Sequence, residues 1–192
     1  MALGYATAGM DRHHRYHTYS EMGLQPVKTN IIMTFNELLL RTAFSCMACD
    51  GQIAPEEVQL IRDMATNHPL ISHLDVNAVL NNLIREINKR GVGFLKLYFI
   101  DLHDYGLSAE QEIQVLQVAV DMIRADEKVE YHEIRFFKIL RSHLTLVSDE
   151  RILKDVKNID ETFLARDIRT DYHSLFCSYF SQISIPKFEI DL

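Results

Sequence analysis

With 192 residues, 47% of them apolar and 24% charged, the chain can bury one sizeable core and has an ordinary globular composition. Twenty basic against 27 acidic residues give a net charge of −7, which excludes a general nucleic-acid binder, since that function needs a basic surface to displace counterions. Three cysteines make no disulfide framework, no apolar run approaches the ~20 residues that cross a bilayer, and the N-terminus has no secretory pattern, so the expectation is a soluble cytoplasmic protein without a transmembrane segment.

Residues 1–30 show no sustained period and are broken by Gly4, Gly9, Gly23 and Pro26, which predicts a mobile N-terminal tail. His13, His14 and His17 lie in it, and such a cluster catches a transition metal only where a fixed geometry holds the rings. A helical domain is predicted over 34–157. Its first helix opens at the capping box Thr34-Phe-Asn-Glu37, buries Leu40, Ala43, Phe44, Met47 and Ala48, and stops near Cys49 at Gly51. Pro55 opens the second, with Val58, Ile61, Met64 and Ala65 inward, and His68-Pro69 ends it. A third starts near Asp75 and buries Val79, Leu80, Leu83, Ile84 and Ile87; Arg90 to Gly93 reads as a turn before an apolar central helix over Phe94 to Asp104. The box Ser108-x-x-Gln111 opens a helix to about Ala125 with Ile113, Leu116, Val120 and Ile123 inward, and Tyr131 to His143 forms the next, burying Ile134, Phe137 and Leu140. Ser148 caps a short helix over Asp149 to Lys157. The remainder, 158–192, is predicted as a C-terminal amphipathic helix and tail, with helical spacing at Leu164, Ile168, Tyr172, Leu175 and Tyr179 until Pro186. Strand signals are scarce, so the fold class is all-α, a compact bundle of about seven helices.

One stretch occurs twice. Asp50, Ile53 and Glu57 answer to Asp126, Val129 and Glu133 at a constant offset (126 − 50, 129 − 53 and 133 − 57 all equal 76). Apolar positions keep that offset, as in Phe44 with Val120 and Ile61 with Phe137, so the bundle is expected to carry an internal pseudo-two-fold repeat of helix, acidic turn, helix. Each Asp sits at a helix end, where it can accept backbone N–H groups of the turn, and each Glu falls in the first turn of the next helix, where the dipole favours it by ~0.3–1 kcal/mol. On that structural reading the carboxylates hold the two units in register, with Ile53 and Val129 packing across the axis.

The other reading is a divalent-cation site, Ca²⁺ or Mg²⁺, with Asp50, Glu57, Asp126 and Glu133 as hard oxygen ligands and Glu56, Glu127 and Glu130 in support. It is not an EF-hand. Loop positions three, five and six hold Gln52, Ala54 and Pro55 in one copy and Lys128, Glu130 and Tyr131 in the other, and Lys128 repels a cation.

Asp-Gly-Gln-Ile-Ala-Pro-Glu-Glu after an Ala-containing helix, answered by Ala-Asp-Glu-Lys-Val-Glu-Tyr-His-Glu, resembles the tellurite-resistance TerB-like domain over about residues 34 to 157. The resemblance implies a compact all-helical fold, no enzymatic activity, acidic turns as candidate metal sites, and a cytoplasmic role in a tellurite, metal or envelope stress-response assembly, including peripheral membrane complexes. Such domains also occur attached to other machinery, among them a DnaJ-like co-chaperone.

No other constellation completes an active site. Cys46-Met-Ala-Cys49 lies at a helix C-terminus, where the dipole disfavours a thiolate, and Cys177 offers no second pair for zinc, so the cysteines read as small buried side chains. His132 beside Glu133 has no partner nucleophile by spacing, and His103-Asp104 reads as a helix end. The C-terminal helix is rich in aromatics (Tyr172, Phe176, Tyr179, Phe180), which either complete the core or dock a protein partner or a second copy as a homodimer. The function expected is a non-enzymatic module with its acidic turns as candidate cation sites; the alternative is a helical interaction or scaffold domain whose acidic turns are purely structural.

Overall fold

Helix α1 (Phe35–Met47) is central because it is apolar or small on almost every side: Leu38, Leu39, Leu40 and all of 42–47 are buried. The computed structural model describes residues 33–53, 55–125, 129–165 and 172–187; the N-terminal tail predicted over 1–30, with its three histidines, lies outside them. After α1 come a 3₁₀ turn (Ala48–Asp50), α2 (Pro55–Asn67), α3 (Val76–Arg90), α4 (Val92–Tyr105), α5 (Ala109–Ile123), α6 (Tyr131–His143), α7 (Asp149–Asp155), α8 (Glu161–Leu164) and α9 (Tyr172–Gln182). Among the described residues all regular structure is helical. These residues form nine α-helices, the seven expected over 34–157 and two rather than one beyond them.

The duplication is visible in the helix bounds themselves, since 123 − 47, 131 − 55 and 143 − 67 again give 76. Helix α1 packs most extensively against α5, its own counterpart, and also touches α2, α3, α4 and α6. Local chemistry sets the starts. Thr34 accepts the Glu37 N–H at 3.2 Å while its own N–H donates to Glu37 Oε2 at 2.7 Å, and Ser108 and Gln111 repeat the exchange at 3.3 and 2.9 Å. Inside, the Tyr98 hydroxyl donates to Thr42 Oγ1 at 3.0 Å, and Thr42 donates to the Leu38 carbonyl, so these buried polar groups are satisfied.

Two expectations change. The turn over 90–93 contracts to Gly91, whose N–H donates to the Ile87 carbonyl at 2.7 Å and whose carbonyl accepts the Phe94 N–H at 3.0 Å; at φ 55, ψ −133 a glycine turns the chain in one residue, and α4 begins at Val92. The helical spacing from Leu164 to Tyr179 is interrupted at Ala165, which is not helical, and Ile168 lies outside the described residues. Helix α8 ends at Leu164, held by Phe163 lying edge-on to Phe137 at 5.0 Å, and α9 folds back onto α6. Residues 183–187 leave it without regular structure, and Ile183 and Ile185 pack on the core. No helix among the described residues is long and apolar enough to cross a membrane.

Candidate functional site

The first acidic turn is built by the end of α1. After the 3₁₀ turn, Gly51 takes φ 86, and Asp50 Oδ1 accepts the Gln52 N–H at 2.7 Å, so the carboxylate closes its own turn. Gly51 has a second constraint: a Cβ there would run into the Ser184 carbonyl oxygen, because the segment after α9 crosses this turn. In the second turn, Asp126, Glu127 and Lys128 lie outside the described residues, as does the side chain of Glu56 in the first. Beyond Lys128 the chain enters α6 through a capping box, in which the Glu130 N–H donates to Glu133 Oε2 at 2.7 Å; Glu133 is thus a first-turn helix residue, as its spacing implies. Ile53 is buried while Val129 is 37% exposed, so the two do not play equivalent parts across the axis.

The carboxylates of this region act on the buried thiols beneath them. Burial pushes the Cys49 thiol well up from its ordinary range, and the neighbouring Cys46, Glu133, Asp50 and Glu57 push it further. Burial likewise raises Cys46, with Glu133 adding to it. Both thiols are therefore held protonated, as small core side chains. The Asp50 carboxyl is also raised; its partial burial dominates and Glu130 adds to it, against the pull of the Gln52 N–H and His132. Among the described residues, no three His, Cys, Asp or Glu side chains are grouped as a metal ion requires.

A helical duplication of this kind has a match. The family model described as Tellurite resistance protein TerB covers residues 38–155, more than half of the chain. The chain belongs to the TerB family. Neither the curated proteins nor the solved structures gave a match. The TerB span runs from the first turn of α1 to the end of α7, so α8 and α9 lie beyond it.

Two further constellations, one within the TerB body and one joining it to α9, were missed from the sequence. Glu112, only 4% exposed, accepts the N–H groups of Thr145 at 3.0 Å, Leu146 at 2.9 Å and Val147 at 3.1 Å, holding the α6–α7 loop onto α5. Arg141 clasps the same loop through the carbonyls of Leu144 and Val147 and pairs with Asp149. The signal for Glu112 was present: it stands four residues before Leu116 on an apolar stripe, where a charge needs a partner. Arg135, 9% exposed on α6, donates to Ser178 Oγ at 2.7 Å and to Gln182 Oε1 at 2.9 Å on α9. Tyr179 of α9 is buried and its hydroxyl donates to the Cys49 carbonyl, tying the C-terminal helix to the first acidic turn.

Proposed function

We propose that this chain is a non-enzymatic TerB module that acts in the cytoplasm as a helical interaction domain of a tellurite, metal or envelope stress-response assembly, and that its acidic turns are structural. The observation that carries the structural part is the use already made of the carboxylates. Asp50 closes its turn on Gln52 and Glu133 caps α6 on Glu130, so each has a backbone donor at 2.7 Å before any ligand is considered. The buried Cys46 and Cys49 thiols are held protonated, and the Ser142 hydroxyl, 3.4 Å from His143 Nδ1, donates instead to the Ile139 carbonyl at 2.6 Å. Protein partners, or a second copy, are recognised through the aromatic C-terminal helix; nucleic acid is not a partner of so acidic a chain.

A second reading has one observation in its favour. Asp50 and Glu57 recur as Asp126 and Glu133 at the same offset of 76, and hard oxygen ligands suit Ca²⁺ or Mg²⁺. Thermal melting of chelator-stripped protein separates the two. A cation at a hundred times its dissociation constant adds ~2.7 kcal/mol, whereas structural turns give no cation-dependent shift. The Asp50→Asn, Asp126→Asn double variant abolishes any such shift on the cation reading while the chain stays helical.

A further inference from the structure

The TerB body, residues 38–155, carries a groove that something outside the body fills. Its walls are Lys96 and Phe99 on α4, Arg135, Phe136 and His143 on α6, and the backbone of Cys49; its occupant is α9. Phe176 and Phe180 stand edge-on to Phe99 at 6.1 and 6.3 Å, Phe176 lies 6.4 Å from the His143 ring, and Tyr179 faces Phe136 at 6.3 Å. The contacts are those of an amphipathic helix in a groove, with aromatic anchors at i, i+3 and i+4.

The rim of the groove is cationic, with Lys96 5.6 Å from the Phe180 ring and Arg135 5.8 Å from Tyr179, while its floor, Phe99 and Phe136, is fully buried with α9 in place. Arg135 also lies 5.7 Å from the exposed Tyr131 ring of its own helix, a partner it keeps when α9 leaves. Side-chain hydrogen bonds from Arg135, aromatic anchors and a charged rim are features that docking interfaces share. Helix α9 is short, 11 residues, and leans chiefly on α6, so its local opening costs less than global unfolding.

We propose that this groove is a helix-docking site of the TerB body, filled in cis by α9 and open to the same helix of a second copy of this chain when α9 is released. The proposal rests on the reading of the chain as an interaction module and names its surface and occupant. In the wild type the tethered helix competes at an effective concentration in roughly the millimolar range, which shields the groove.

The probe is a fluorescently labelled peptide of residues 172–187, titrated by anisotropy into the full chain. Wild type is compared with a full-chain variant whose own helix is weakened (Phe176→Ala, Tyr179→Ala, Phe180→Ala). The expected result is saturable binding to the variant at least tenfold tighter than to wild type, lost when the peptide carries Tyr179→Ala and reduced when Arg135→Ala is added to the variant. No saturable binding to a variant that keeps the helical content of its body overturns the proposal, and so does equal binding to both proteins. Should the triple variant unfold, Phe180→Ala alone serves, with a severalfold gain expected over wild type and equality again overturning it. The assay reads groove occupancy and is blind to cations, so its failure leaves the module reading standing, and a cation response leaves the groove untouched.

Discussion

Replacing Glu112 tests how the TerB body holds its second half. The carboxylate is almost fully buried and accepts three backbone N–H groups from residues 145–147. Thr145 and Leu146 are exposed and can turn their donors to water, whereas Val147 is buried and cannot. Glu112→Ala therefore strands one buried donor, at roughly 1–3 kcal/mol, and forfeits two charge-assisted bonds that water partly replaces, for a total of about 3 kcal/mol. Glu112→Gln keeps one acceptor oxygen for Leu146 and Val147 and sets its amide against the Thr145 N–H, for a loss of about 1–2 kcal/mol. Against a total stability of roughly 5–15 kcal/mol, the alanine change is large, and in a chain of this size it lowers Tm by about 6–12 °C. Urea unfolding followed by far-UV circular dichroism measures both. A Glu112→Ala variant within ~0.5 kcal/mol of wild type, or a Gln variant as costly as Ala, would contradict this role for the carboxylate.

Three other outcomes are expected from the same geometry. Gly51→Ala places a side chain at φ 86 and against the Ser184 carbonyl, and is expected to destabilise by about 2 kcal/mol in urea titration, with Ile183 and Ile185 losing their packing; a neutral result contradicts the close approach. Asp50 has a carboxyl raised on folding, so it takes up a proton more readily folded than unfolded, and its charge costs stability once pH rises above the ordinary carboxylate range; Asp50→Asn keeps an acceptor for Gln52 and should raise Tm at pH 7 but not near pH 3. His143 behaves oppositely. Burial holds it below the usual histidine range, and His103 adds to that against the pull of the Ile139 carbonyl, so stability drains as pH falls below about 6.5; the urea midpoint should drop between pH 7.5 and 5.5 in wild type and less in His143→Gln.

The helix pairs were legible because their punctuation is local. Thr34 with Glu37, Ser108 with Gln111, Gly51 and Pro55 each act within a few residues, and the 76-residue offset read from Asp50 and Asp126 reappears in the ends of α1, α2, α5 and α6. What escaped depends on distant partners. Glu112 reaches a loop 33–35 residues away and Tyr179 a carbonyl 130 residues away, and no periodicity carries such pairings. The two copies also share a pattern without sharing an environment: Ile53 is buried while Val129, its counterpart by offset, is exposed, and the α9 segment crosses the first turn. Spacing identified Asp50, Glu57 and Glu133 as alike in kind, but it was hydrogen-bond geometry that showed Asp50 and Glu133 bonded to the backbone of their own turns.

The central claim, that the acidic turns serve the fold rather than a ligand, is tested most directly by titrating Ca²⁺ and Mg²⁺ into the chelator-stripped chain in a calorimeter. Structural turns predict only dilution heats for both ions. A saturable one-to-one isotherm, absent in the Asp50→Asn, Asp126→Asn variant that keeps wild-type helicity, would contradict the account and return Asp50, Glu57, Asp126 and Glu133 to the role of ligands.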